Sequence, residues 1–141
     1  MAPFRVLGGT MDSGSACLRV VMSHRVAVPG DRMWLRIDGP DAASLTWRNI
    51  VTFERKDSSS CQAIAQVVAA PSVDGPSQCF GPDERVPARL ECYPAQMPLF
   101  FDVPPIPERD YCLRLDIIHR DRDLDERIPT LNACLRVVSA D

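Results

Sequence analysis

Short segments with a two-residue hydrophobic period, cut apart by proline and glycine, constrain this chain more than any other feature. In RMWLRIDG (32–39), Met33, Leu35 and Ile37 fall on one side of an extended backbone. Arg32, Arg36 and Asp38 fall on the other with Trp34. SLTWRNIVTFERK (44–56) sets Trp47, Val51 and Phe53 against Arg48 and Glu54, and DYCLRLDIIHR (110–120) sets Leu113, Leu115 and Ile117 against Arg114 and Asp116. A helix needs apolar residues three and four apart, and no long stretch supplies them. Thirteen prolines and seven glycines in 141 residues keep each segment short.

The remaining chain reads in the same terms. CLRVVMSHRVAV (17–28) is a first strand, closed by a PGD turn. CQAIAQVVAA (61–70) is a strand whose alanines would also allow a short helix. Residues 71–87 form a long loop containing Cys79, ARLECY (88–93) is a short strand, and PLFFDV (98–103) is another. DRDLDER (121–127) is a charged hairpin loop, and ACLRVVSA (133–140) is the closing strand. Seven to eight strands with turns between them predict an all-β sandwich or barrel. One domain over residues 16–141 accounts for the pattern, preceded by a flexible segment, 1–15. Apolar faces that interdigitate make an ordinary core, and faces that splay at one end line a cavity; periodicity does not separate the two.

Composition narrows the function classes. Hydrophobic residues make 45% and charged residues 25%, as in a soluble globule, and a net charge of −3 excludes a nucleic-acid partner. MAPFRVLGGTM lacks the apolar run of a secretory signal, so the compartment has to be read from cysteine usage. The six cysteines are Cys17, Cys61, Cys79, Cys92, Cys112 and Cys134. None forms CxxC and both histidines are remote in sequence, which argues against zinc or any other metal. Disulfides in an oxidising compartment are the favoured reading. Buried free thiols in a reducing, cytoplasmic one are the alternative.

Nothing in the chain equips an enzyme. GxSxG, HExxH and a glycine-rich phosphate loop are absent, His24 and His119 sit inside strands, and no cofactor motif is present. DSSSC (57–61) is a polar turn. DRDLDER alternates acids as a calcium loop does but lacks its glycine and its final glutamate. FFDVPPIPERDY (100–111) stands out instead. Phe100, Phe101, Val103 and Ile106 make an apolar cluster broken by Pro104, Pro105 and Pro107. It is either a strand end tucked into the core or a rigid apolar rim, since proline presents apolar surface with no unpaired N–H.

The last third, from Cys92 through LFFDVPPIP, DYCLRLDII and DRDLDER to ACLRVV, resembles the end of ML lipid-recognition domains, the family of lysosomal sterol carriers, ganglioside activators and group 2 mite allergens. VAVPGDRMWLRIDG (26–39) is similar, more loosely, to the family's PG turn before its second long strand. The resemblance implies an immunoglobulin-like two-sheet antiparallel β-sandwich that holds a lipid between its sheets for transfer or presentation, with no covalent step. It implies secretion or an endolysosomal lumen, and a membrane or receptor protein as a further partner. The lining would come from Met33, Leu35, Ile37, Val51, Phe53, Ile64, Val67, Phe100, Phe101, Val103, Ile106, Leu113, Leu115, Ile117, Leu135 and Val137. The family's bridges would map onto Cys17–Cys134 and Cys79–Cys92, leaving Cys61 and Cys112 to pair. The opposing reading is an immunoglobulin-like module with a filled core, no ligand and a protein partner.

Overall fold

The alternating segments become strands, and their apolar sides face one another. The computed structural model describes residues 4–5, 18–56, 61–86, 90–119 and 130–140. In chain order the strands are β1 (Phe4–Arg5), β2 (Arg19–Met22), β3 (Val26–Ala27), β4 (Arg32–Asp38), β5 (Leu45–Lys56), β6 (Cys61–Val68), β7 (Gln78–Phe80), β8 (Cys92–Pro94), β9 (Leu99–Asp102), β10 (Arg109–His119) and β11 (Thr130–Val137). A single 3-10 turn, Ala42–Ser44, is the only helical element among the described residues. None of it is long or apolar enough to cross a membrane. The eleven strands among the described residues exceed the seven to eight expected because β1 and β7 fall in segments not expected as strand and residues 17–28 divide into β2 and β3.

The first sheet has the order β1-β2-β4-β9. The second has the order β3-β11-β10-β5-β6-β7, with β8 also paired to β5. The fold is all-β, as the alternation predicts, but the second sheet is mixed, because β3 runs parallel to β11. The reason lies in residues 17–28, expected as one strand. Ser23 closes the β2–β4 ladder: its N–H donates to the Trp34 carbonyl at 3.1 Å and its hydroxyl accepts the Trp34 N–H at 2.9 Å. The chain then leaves that sheet, and the carbonyls of Arg25 and Ala27 accept from Arg136 and Val138 of the other. A turn at residues 28–31 returns it. Asp31 N–H donates to the Val28 carbonyl, and Gly30 adopts φ +94°, as the third position of a type II turn after Pro29 requires.

Residues 61–70 take the strand alternative, with Ala65 and Val67 buried. Residues 71–87, expected as loop throughout, contain β7, which pairs with β6 through Gln66, Val67 and Val68. The hairpin DRDLDER, residues 57–60 of DSSSC, and Cys17 lie outside the described residues. β1 falls within the segment expected to be flexible and pairs with Arg19 and Val20 of β2.

The two sheets are stitched together along one side. Ala70, just past β6, exchanges both backbone hydrogen bonds with Phe100 of β9, at 2.9 and 2.7 Å. Ala95, just past β8, accepts from Ile37 of β4 at 2.8 Å and donates to Leu45 of β5 at 3.0 Å. These bonds satisfy polar backbone that a sheet edge would leave open. Arg32 fastens the loop beyond β6 as well: its guanidinium donates to the carbonyls of Val73 and Gly75 and pairs with Asp102 at 3.2 Å.

Candidate binding site

The residues expected to line a cavity are brought together between the sheets. Met33, Leu35, Ile37, Val51, Phe53, Val67, Phe101, Leu113, Leu115, Ile117 and Val137 each have 0% of their surface accessible; Leu135 has 1% and Val103 2%. A void wide enough for a lipid would leave accessible area on the side chains forming its wall, and these have almost none. Instead they touch across the gap. The Phe53 ring of the second sheet meets Phe101 of the first edge-to-face, with centroids 6.0 Å apart, and meets Tyr111 at 6.2 Å. Such pairs add about 0.5–1.5 kcal/mol to what burial alone supplies.

Three expected residues lie elsewhere. Ile64 and Ile106 are half-buried and pack against the core from its margin. Phe100 is on the outer face of the first sheet, opposite Trp34 in register, because alternation along β9 sends Leu99 and Phe101 inward and Phe100 outward. The adjacent phenylalanines therefore cannot form one rim.

The proline stretch is a built corner. Val103 exchanges backbone hydrogen bonds with the 30–31 turn: Gly30 N–H donates to its carbonyl at 2.8 Å, and its own N–H donates to Asp31 at 2.9 Å. Ile106 N–H reaches back to the Pro104 carbonyl at 2.9 Å, a three-residue turn centred on Pro105, whose ring favours the φ this turn uses. At the start of β10 the Tyr111 hydroxyl donates to the Pro107 carbonyl at 2.5 Å while its ring is buried. Burial pushes the Tyr111 pKa up, and the Arg109 and Arg55 guanidinium groups pull it partly back.

Outside this corner lies an open hollow of about 390 Å³. Its walls are Val28 and Pro29 of the turn after β3, Ile106 and Glu108 of the proline corner, and Val138, Ser139 and Ala140 beyond β11. Of the expected residues only Ile106 is among them. The sequence signals for the others were thin: the PG turn marked Val28 and Pro29 as a bend, and nothing marked the tail. The hollow is an open surface feature, and Val137, next in the chain to Val138 of its wall, is fully buried.

Of the expected bridges, Cys79–Cys92 and Cys61–Cys112 are not formed, and Cys17–Cys134 involves a residue outside those described. Cys79, Cys92 and Cys134 are free thiols, and no disulfide joins the cysteines among the described residues. Cys79 pairs with Val67, in line with Val51 of β5, whereas Cys92 pairs with Arg48, three residues away along β5. That offset is about 10 Å of strand, beyond the ~7 Å Cα limit for a bridge. Cys61 pairs with Lys56 on one side of β5 and Cys112 with Glu54 on the other, so the whole strand stands between them. Partial burial and then the Glu84 carboxylate raise the Cys79 pKa. Among the described residues no group of three or more His, Cys, Asp or Glu is placed to hold a metal. His24 Nδ1 sits 2.8 Å from the Ser23 hydroxyl, at the point where the chain changes sheets. Comparison of the chain with family models, with curated proteins and with solved structures gives no match.

Proposed function

We propose that this chain is an immunoglobulin-like recognition module that works by surface contact with a protein partner rather than by enclosing a ligand. The observation that carries this is the interior: the facing apolar residues have almost no accessible area. The strand order supports the immunoglobulin-like reading. Adjacent β4 and β9 correspond to strands B and E of such a domain, and the run β11-β10-β5-β6-β7 to G-F-C-C′-C″. Trp47 on β5 occupies the place of that fold's buried strand-C tryptophan. Tyr111, bonded to Pro107, reproduces its tyrosine corner. Leu113, two residues on, stands where an antibody domain carries its second cysteine, so apolar packing replaces the inter-sheet disulfide. The pairing of β8 with β5 departs from that layout.

A lipid-carrying role, the reading implied by the ML resemblance, would require the sheets to part and expose these same residues. Native mass spectrometry of the purified chain, before and after organic extraction, distinguishes the two. The module reading expects no co-purifying lipid and no uptake of sterol, fatty acid or phospholipid probes. A stoichiometric lipid that survives purification would sink it.

A further inference from the structure

The register of the last two long strands places Cys112 of β10 directly opposite Cys134 of β11. Directly opposed residues of an antiparallel pair have Cα atoms roughly 4.5–5.5 Å apart, inside the roughly 4.4–6.8 Å span that a disulfide bridges. Opposed residues also project from the same face. Their flanking residues Tyr111, Leu113, Ala133 and Leu135 are buried in the core, so both sulfurs belong to the outer face of the sheet. Cys134 is exposed there and Cys112 half-buried beside it.

We infer that Cys112 and Cys134 form a reversible modification site: a cross-strand dithiol that is oxidised by low-molecular-weight disulfides such as oxidised glutathione. The exposed Cys134 thiolate attacks one sulfur of the small disulfide, releasing one thiol and leaving a mixed disulfide on Cys134. The Cys112 thiolate then attacks the Cys134 sulfur, forming the Cys112–Cys134 bond and expelling the second thiol. Two electrons and two protons pass from the protein to the small disulfide, which leaves as two thiols. The first step needs an accessible sulfur and the second a neighbour already in register, and the β10–β11 ladder supplies both. Cys79 and Cys92 each lack such a neighbour among the described residues.

The test is non-reducing peptide mapping of the full chain after equilibration in reduced and oxidised glutathione, with free thiols alkylated at the end. The expected product has lost two hydrogens, yields a linked peptide joining Cys112 to Cys134, and leaves Cys79 and Cys92 alkylated. It also melts at a higher temperature than the reduced chain, since the bond ties the two strands together. Cys134→Ser, at an exposed position that keeps the fold by far-ultraviolet circular dichroism, should lose the linked peptide and the rise in melting temperature together. A stable glutathione adduct on Cys134 with Cys112 still a thiol would overturn the inference. So would a bond from Cys134 to any other cysteine.

Discussion

Tyr111 shows how one side chain does two jobs at the proline corner. Its ring joins the edge-to-face cluster with Phe53, and its hydroxyl holds the Pro107 carbonyl four residues upstream. Tyr111→Phe keeps the first contact and removes the second. The expected loss is about 0.5–1.5 kcal/mol in urea unfolding, the net worth of one hydrogen bond. Its pH dependence is specific. The folded-state pKa lies above the unfolded one, so the unfolded chain releases the proton first as pH rises. The contribution of Tyr111 is therefore complete below about pH 10, the unfolded value, and declines above it. Alkaline titrations of stability should show that decline in the parent chain and a shallower one in Tyr111→Phe. The side chains of the proline corner were visible in the sequence as an odd density of proline beside a strand. The hydroxyl's partner was not, because that hydrogen bond depends on how the turn folds back.

At the scale of elements, β5 organises the molecule, and Asn49 is its joint. On one edge β5 pairs with β8 through residues 46–48 and with β6 from Ile50 onward. Asn49 fills the gap between them. Its amide nitrogen donates to the Ala69 carbonyl at 3.0 Å, its side-chain oxygen accepts the Glu91 N–H at 3.0 Å, and its backbone bonds both segments. Asn49→Ala would leave a carbonyl and an N–H without those partners in a largely buried position, at a cost of about 1–3 kcal/mol. The measurement is hydrogen exchange: protection at Ala69 and Glu91 should fall more than at Val51 or Leu113, and a uniform fall would refute a local joint. The strands were legible wherever alternation ran for five residues or more, as in β4 of the first sheet and β5 and β10 of the second. β3 and β7 were not, because strands of two or three residues carry no period, and β8 was read a few residues early, as 88–93. Their pairing comes from where their neighbours lie in space. The strand switch at Ser23–Arg25 was invisible for the same reason: Val20, Met22 and Ala27 are all buried, but in different sheets.

For the whole molecule the decisive quantity is the state of the interior. Phe101 was open to two readings, an apolar rim or a strand end tucked into the core, and it is fully enclosed against Phe53. Phe101→Ala should therefore destabilise by about 3–5 kcal/mol, the range for a large core side chain replaced by alanine. Phe100→Ala, on the outer face, should cost distinctly less. Urea midpoints for the pair check this, and equal losses would mean that the two residues share one environment.

The chemistry of the residues alone determined the all-β class, the inward side of each long strand and the core side chains those strands carry, such as Met33, Leu35, Val51, Phe53, Leu113 and Leu115, because alternation is a local property that burial selects directly. Whether those faces would meet or stand apart was decided only in three dimensions. The same apolar list serves a filled core and a lipid cavity equally well, and the difference is a matter of how closely two sheets approach. That spacing is held by Phe53 against Phe101 and by the backbone bonds at Ala70 and Ala95. The cysteines follow the same division. Their number was plain from the chain, but Cys112 became the neighbour of Cys134 only when strand register set which residue stands opposite which.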